Sequence, residues 1–283
     1  MSEPRNNPGQ DAPLLVVEEL VASYGERKVL DRVSMSARRG EITVILGTSG
    51  CGKSTLLRHI VGLKQPTAGR VLIGGRDLYR ATEEQQEEIL QGIGMSFQSG
   101  ALFNSMTLQE NVALPIREHR GADEDTANTL ALMKLALVGL AGSARLLPAE
   151  ISGGMKKRAA LARALALDPA LLLFDEPSAG LDPVTARELD DLILRLRDQF
   201  GMAIVVVTHE LGSIEAIADQ AVMLHKGKVL AHGSLDEVRA QPHPQVRAFF
   251  DRRAQQDAMR QGLLERLLAP DGMLPPRAAQ QGG

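Results

Sequence analysis

One cysteine, Cys51, stands in the whole chain. A framework of internal disulfides is therefore excluded. Apolar runs are short: even those at 170–174 and 203–207 fall well below the ~18 residues that a membrane-crossing helix needs. The opening MSEPRNNPGQDAP is polar and rich in Pro and Gly, without the apolar core of a secretory leader. Nor is there an excess of positive charge. The formal net charge is −3, so no broad basic field points to nucleic acid as a partner. These absences predict a chain that stays in the cytosol, where it remains able to sit against a membrane protein.

What is present reads as a globular protein. The 283 residues are 44% hydrophobic and 24% charged, enough for one large or two modest domains with a real core. Residues 1–13 read as disordered. Apolar runs at 14–17, 29–35 and 42–46 read as strands. A helix is expected over 54–63. Short strands follow at 71–73 and 94–97, around a Glu/Gln-rich helix at 82–91. From about 98 to 150 the pattern turns helical, with turn signals at Pro115, Gly121 and Gly139. Strand and helix then alternate again: strands at 170–174, 203–208 and 220–224, helices at 184–200 and 210–218. That alternation predicts a parallel sheet covered on both faces. Residues 245–268 read as an amphipathic helix, and the last fifteen as a flexible tail.

Three motifs carry chemistry. The first is GTSGCGKST, 47–55, which fits G-x-x-x-x-G-K-[ST] between an apolar strand and a helix. Its glycines let backbone N–H groups curl around phosphate oxygens. Lys53 adds a mobile charge, and the Ser54 hydroxyl suits Mg²⁺. The whole loop, Gly47, Thr48, Ser49, Gly50, Cys51, Gly52, Lys53, Ser54 and Thr55, is read as the nucleotide cradle. Cys51 fits as a small filler there, although a helix N-terminus lowers a thiol pKa and leaves a redox reading open. The second motif is LLLFDEP, 171–177. A strand ending in two carboxylates places Asp175 for Mg²⁺ and Glu176 for an attacking water. The third is ISGGMKKR, 151–158, a Ser-Gly-Gly turn opening onto a helix. Such a turn is a second anion device, because free N–H groups and the helix dipole point the same way.

Taken in order, these motifs and four further features resemble the ATP-binding cassette (ABC) ATPases, over roughly residues 15–240. Tyr24 matches the aromatic that stacks on adenine. Gln98 matches the glutamine that joins the Mg²⁺ site to the helical lobe. Ser152, Gly153 and Gly154 match the signature turn. Asp175 and Glu176 match the Walker B pair, 178–182 matches the D-loop ending in Asp182, and His209 matches the switch histidine. The resemblance implies an α/β P-loop NTPase fold with a RecA-like parallel-sheet core, an antiparallel β subdomain and an inserted helical subdomain. It implies ATP and Mg²⁺ as cofactors. Glu176, His209 and Gln98 take catalytic roles; Ser54, Gln98 and Asp175 hold the metal; Tyr24, the cradle, Ser152, Gly153, Gly154 and Asp182 hold the nucleotide. The domain would span 14–243, with the helical subdomain at about 99–168 and a C-terminal helix and tail at 244–283. One departure stands out: Met155 replaces the usual glutamine after the second signature glycine.

The resemblance also answers why one chain carries two phosphate devices. The signature turn would cover the γ-phosphate of a second copy, so that two chains meet head to tail around two ATP molecules. Within the family, the segments 97–119, 151–167 and 242–250 look closest to the bacterial Mla-type (Mce-associated) lipid-transport ATPases. That implies a homodimer with integral-membrane permease subunits, a Mce-domain lipid-binding protein and a small STAS-domain regulator, on the cytoplasmic face of the inner membrane. The task would be phospholipid transport between inner and outer membranes. A groove at 99–107, lined by Leu102, Phe103 and Met106, would receive a helix of the permease, unless those side chains are ordinary lobe core. A cassette for another substrate shares every one of these residues. Soluble cassette proteins acting on ribosomes or DNA usually carry two cassettes or a long coiled coil, and neither is visible. A lone P-loop kinase has no use for Glu176, the signature and His209.

Overall fold

A computed structural model of the protein describes residues 12–251. Its frame is a six-stranded sheet. The strands are β3 (Ile42–Gly47), β6 (Ile93–Ser96), β7 (Leu171–Asp175), β8 (Ala203–Val207), β9 (Gln220–His225) and β10 (Lys228–Gly233), in the order β10-β9-β3-β8-β7-β6. All neighbours are parallel except β10, which runs antiparallel to β9. Every residue of β3 and β8 is buried, as expected of strands covered on both faces.

Side-chain alternation divides the core into two layers. Ile42, Val44 and Leu46 of β3, with Leu172, Phe174, Ile204 and Val206, face a helical layer. That layer contains α3 (Leu108–Arg120), α4 (Glu124–Leu137), α5 (Gly153–Ala164), α6 (Pro183–Phe200) and α7 (Leu211–Ile217). Ile45, Leu171, Leu173, Val205 and Val207 face the other way. There they meet α1 (Lys53–Ile60) and a four-stranded antiparallel sheet of β1 (Leu15–Tyr24), β2 (Arg27–Ala37), β4 (Ala68–Ile73) and β5 (Arg76–Asp77). The expected parallel core, antiparallel β layer and helical insertion are all present.

Some local expectations need correction. Pro115, a turn signal in the sequence, lies inside α3. Proline in a helix removes one hydrogen bond, and here the ends compensate. Thr107 caps the start in a reciprocal box with Glu110, and Gly121 ends the helix at φ 59°. Asn111, fully buried, shares the two N–H donors of its amide among the carbonyls of Phe103, Met106 and Thr107. β1 runs on to Tyr24 because Glu19, at φ 46°, bulges the strand and shifts its register. Strand β10 and helix α8 (Leu235–Arg239) were not anticipated. The chain is helical from 244 to 251; the remainder of the expected 245–268 helix, the tail and the first eleven residues lie outside the described residues.

Candidate nucleotide site

The phosphate loop forms because β3 is locked in the sheet while its last residue must turn. Gly47 takes φ 149°, and a Cβ there would stand 2.3 Å from the Leu224 carbonyl oxygen. Gly52, at φ 114°, is the N-cap of α1, and a Cβ there would reach Leu30 at 2.6 Å. Two glycines are thus fixed by close approach as well as by conformation. Lys53 is 8% exposed and donates from Nζ to the Gly47 carbonyl at 2.9 Å and the Thr48 carbonyl at 3.4 Å. The ammonium therefore sits folded over the loop. Cys51 is buried, and burial pushes its thiol pKa up, against the pull of Lys53. Burial thus disfavours the thiolate and supports the filler reading of Cys51.

Parallel pairing brings the second motif to the loop. Asp175 ends β7 opposite Val207 of β8. Ser54 Oγ donates to Asp175 Oδ1 at 3.3 Å. Burial raises the Asp175 pKa; the Ser54 bond acts against it, and the neighbouring Glu176 charge adds to it. Glu176 follows at φ 50°, a left-handed conformation unusual for a non-glycine residue. Its Oε1 lies 2.7 Å from His209 Nδ1, and its Oε2 is buried with no hydrogen-bond partner among the described residues. An ionised carboxylate only accepts, so Nδ1 carries the shared proton.

A cleft of about 440 Å³ joins these groups. It is lined by Val29, Ser49, Gly50, Gly52, Lys53, Ser54, Thr55, Gln98, Glu176 and His209. Thus the structure gathers the loop, the glutamine, the carboxylate and the histidine in one place. Ser152, Gly153 and Gly154 do not line it. Ser152 and Gly153 are exposed at the start of α5, where Ser152 Oγ caps the helix by accepting from Met155 N at 3.3 Å. Tyr24 also lies outside the cleft lining; it is 41% exposed, with Lys64 Nζ 3.2 Å from its ring centroid. Asp182 caps α6, accepting from Val184 N, Thr185 N and Thr185 Oγ1, and these bonds hold its pKa down. In the expected groove Phe103 is 49% exposed, while Leu102 and Met106 are half-buried.

Sequence reasoning passed over three contributors. Val29 comes from β2 to line the cleft. Lys64 reaches Tyr24 from the segment after α1. Lys157, inside a run of basic residues, donates to the carbonyls of Gln98 and Glu176. Burial lowers its pKa, while Glu176 and Asp175 pull the other way.

A family profile described as ABC transporter matches residues 30–179, more than half of the chain. The chain belongs to the ABC transporter family. This cassette is 42% identical over 240 residues to the intermembrane phospholipid transport system ATP-binding protein MlaF of Escherichia coli K12, covering 85% of the chain and 89% of that protein. It is 40% identical over 237 residues to a probable ribonucleotide transport ATP-binding protein, mkl, of Mycobacterium tuberculosis H37Rv, covering 84% of the chain and 66% of that protein. Among solved structures, it is similar to the dimeric post-hydrolysis ATP-binding cassette MJ0796 bound to ADP and phosphate. There the TM-score is 0.71 and the identity 32%, over 78% of this chain and 98% of the other. The cassette is an ATP-hydrolysing enzyme of the P-loop α/β class. Among the described residues no helix is long and apolar enough to cross a membrane.

Proposed function

We propose that this cassette is the ATP-hydrolysing subunit of a membrane transporter that moves phospholipid between inner and outer membranes. Two copies would meet head to tail, each covering the other's ATP with Ser152, Gly153 and Gly154. The exposure of that turn, outside its own cleft, supports this reading. So does the dimeric form of the structurally similar cassette. Lys53 and the amides of Gly47, Thr48, Ser49, Gly50, Cys51, Gly52 and Thr55 grip the phosphates, and Tyr24 carries the base. Asp182 positions the start of α6 beside the signature turn, since a Cβ at Gly154 would touch Thr185 at 2.5 Å.

Glu176 is the general base. Glu176 lines the cleft, and a water brought against its carboxylate there would deliver a proton to it. His209 orients the carboxylate through Oε1. The oxygen donors of Ser54, Asp175 and Gln98 suit Mg²⁺, a hard cation that prefers carboxylate, hydroxyl and phosphate oxygen. Burial raises the pKa of Asp175, and a cation beside it would act the other way. Mg²⁺ there would neutralise charge building on the phosphate oxygens.

The observation that carries the phospholipid reading is the 42% identity to MlaF across 85% of this chain. Partners would be integral-membrane permease subunits, with the cassette peripheral on the cytoplasmic face of the inner membrane. A Mce-domain lipid-binding protein and a STAS-domain regulator would complete the assembly. A second reading, transport of a different substrate, is favoured by the 40% identity to the mycobacterial mkl protein. Purification of the native complex separates them. Co-purifying phospholipid and a Mce-domain protein are expected. A complex that holds a permease but no lipid, and whose ATPase responds to ribonucleotides, would overturn the lipid reading.

A further inference from the structure

Helix α5 begins with the Gly153-Gly154 turn and presents Lys157 one turn later. The Lys157 ammonium donates to the main-chain oxygen of Gln98 at 2.5 Å and to that of Glu176 at 3.3 Å. One cation therefore joins two loops that reach the cleft from different strands, β6 and β7. The loop after Gln98 lies along the same helix. A Cβ at Gly100 would stand 3.6 Å from Ala160 Cβ. Further along, Arg163 donates to the Gly100 carbonyl at 3.1 Å and the Ala101 carbonyl at 2.7 Å. Ala101 and Glu176 both hold positive φ, 48° and 50°. A non-glycine residue keeps that conformation only where its surroundings over-determine it. At Ala101 the carbonyl is held by Arg163; at Glu176, whose amide donates to the Val207 carbonyl at 2.8 Å and whose carbonyl accepts from Ala179 N at 3.3 Å, Lys157 adds the tie to α5.

The neighbouring cation Arg158 is engaged elsewhere, with Glu188 at 2.6 Å. Because the two acceptors are main-chain oxygens, substitutions at Gln98 or Glu176 leave the contact intact. Lys157 controls it.

We propose that Lys157 is a positioning residue for ATP hydrolysis. Its ammonium fastens the Gln98 loop and the Glu176 main chain to α5, so that the phosphate-facing loop, the base and the Ser152-Gly153-Gly154 turn move as one body. The inference rests on the reading of Glu176 as base. Charged hydrogen bonds to carbonyls are short and strong, which suits a joint that must carry motion. Its loss would untie Glu176 from α5 and leave it held only by the β8 side, through Val207 and His209, and by its own turn; a misplacement of about 1 Å at a catalytic group costs about 10²-fold.

The test compares full-length wild type with Lys157→Met, Lys157→Arg and Glu176→Gln. Steady-state ATPase gives kcat and KM, a fluorescent ATP analogue gives affinity, and thermal melting reports the fold. Lys157→Met is expected to lower kcat about 10- to 100-fold at unchanged KM and affinity. Lys157→Arg, which keeps charge and donors, should recover most of that loss. If Lys157→Met does not fold, Lys157→Gln, which loses the charge and shortens the reach to the two carbonyls, takes its place with the same expectation. Wild-type kcat in Lys157→Met beside an inactive Glu176→Gln overturns the proposal alone. So does a loss that follows melting temperature and that Lys157→Arg does not repair. An active Glu176→Gln overturns the base reading, and the proposal with it.

Discussion

His209 Nδ1 stands 2.7 Å from Glu176 Oε1, across two strands that are adjacent in the sheet. The imidazole holds one carboxylate oxygen, and the other is buried with no partner among the described residues. Glu176→Gln keeps the shape and loses the base. Its kcat should fall ~10²–10⁴-fold while ATP binding persists. His209→Ala should fall less, because the base remains but loses its orientation. Phosphate release and analogue binding measure both, and a His209→Ala loss larger than that of Glu176→Gln would refute the division of roles.

The two loop glycines Gly47 and Gly50 differ in what surrounds them. Gly47→Ala drives a Cβ to 2.3 Å from a backbone oxygen, whereas a Cβ at Gly50 meets nothing within 4 Å. Both positions have positive φ, worth about 1–3 kcal/mol of strain for a side chain. Gly47→Ala should therefore destabilise more and lose ATP binding, and Gly50→Ala should show only the smaller, conformational loss. Equal losses in urea unfolding would show that conformation alone decides.

Ser152 is exposed and outside the cleft of its own chain. Ser152→Trp should block hydrolysis while leaving ATP photolabelling intact. Labelling lost to the same extent would assign the turn to its own chain's site.

Asp190 is buried against Ser213, whose Oγ donates to Oδ2 at 2.8 Å, while Oδ1 has no partner. Burial raises its pKa from 3.8 to about 6. A carboxyl with a raised folded pKa holds its proton longer in the folded chain. Its stabilising share is full below pH 3.8 and is lost as pH climbs towards 6. About two pKa units correspond to ~3 kcal/mol. Asp190→Asn should remove this component, so the wild-type minus variant difference in melting temperature should fall between pH 4 and pH 6.5. A constant difference over that range would count against it.

Local sequence carried the phosphate loop, because strand, glycines and helix start lie within a dozen residues. It carried the alternation of β3, β7 and β8 for the same reason. The Ser234-x-x-Glu237 box was also present to be read as the start of α8. Other features depend on folding. In KKR, 156–158, three cations look alike, and only the turn of α5 sends Lys157 to carbonyls and Arg158 to Glu188. Pro115 reads as a breaker until buried Asn111 is seen holding the preceding loop. The Glu176–His209 contact needs β7 and β8 side by side. The β1 bulge at Glu19 breaks the period-two signal that would have marked the full strand.

Lys53 lies folded onto the Gly47 and Thr48 carbonyls. A phosphate that takes the Lys53 ammonium competes with those two carbonyls for it. A chain of phosphates can engage the ammonium and several loop amides together, whereas a single phosphate engages fewer of them. Preference for long polyanions over short ones then follows from the loop itself, ahead of any contact with the base. Inorganic phosphate should compete feebly with a fluorescent ATP analogue, and tripolyphosphate strongly.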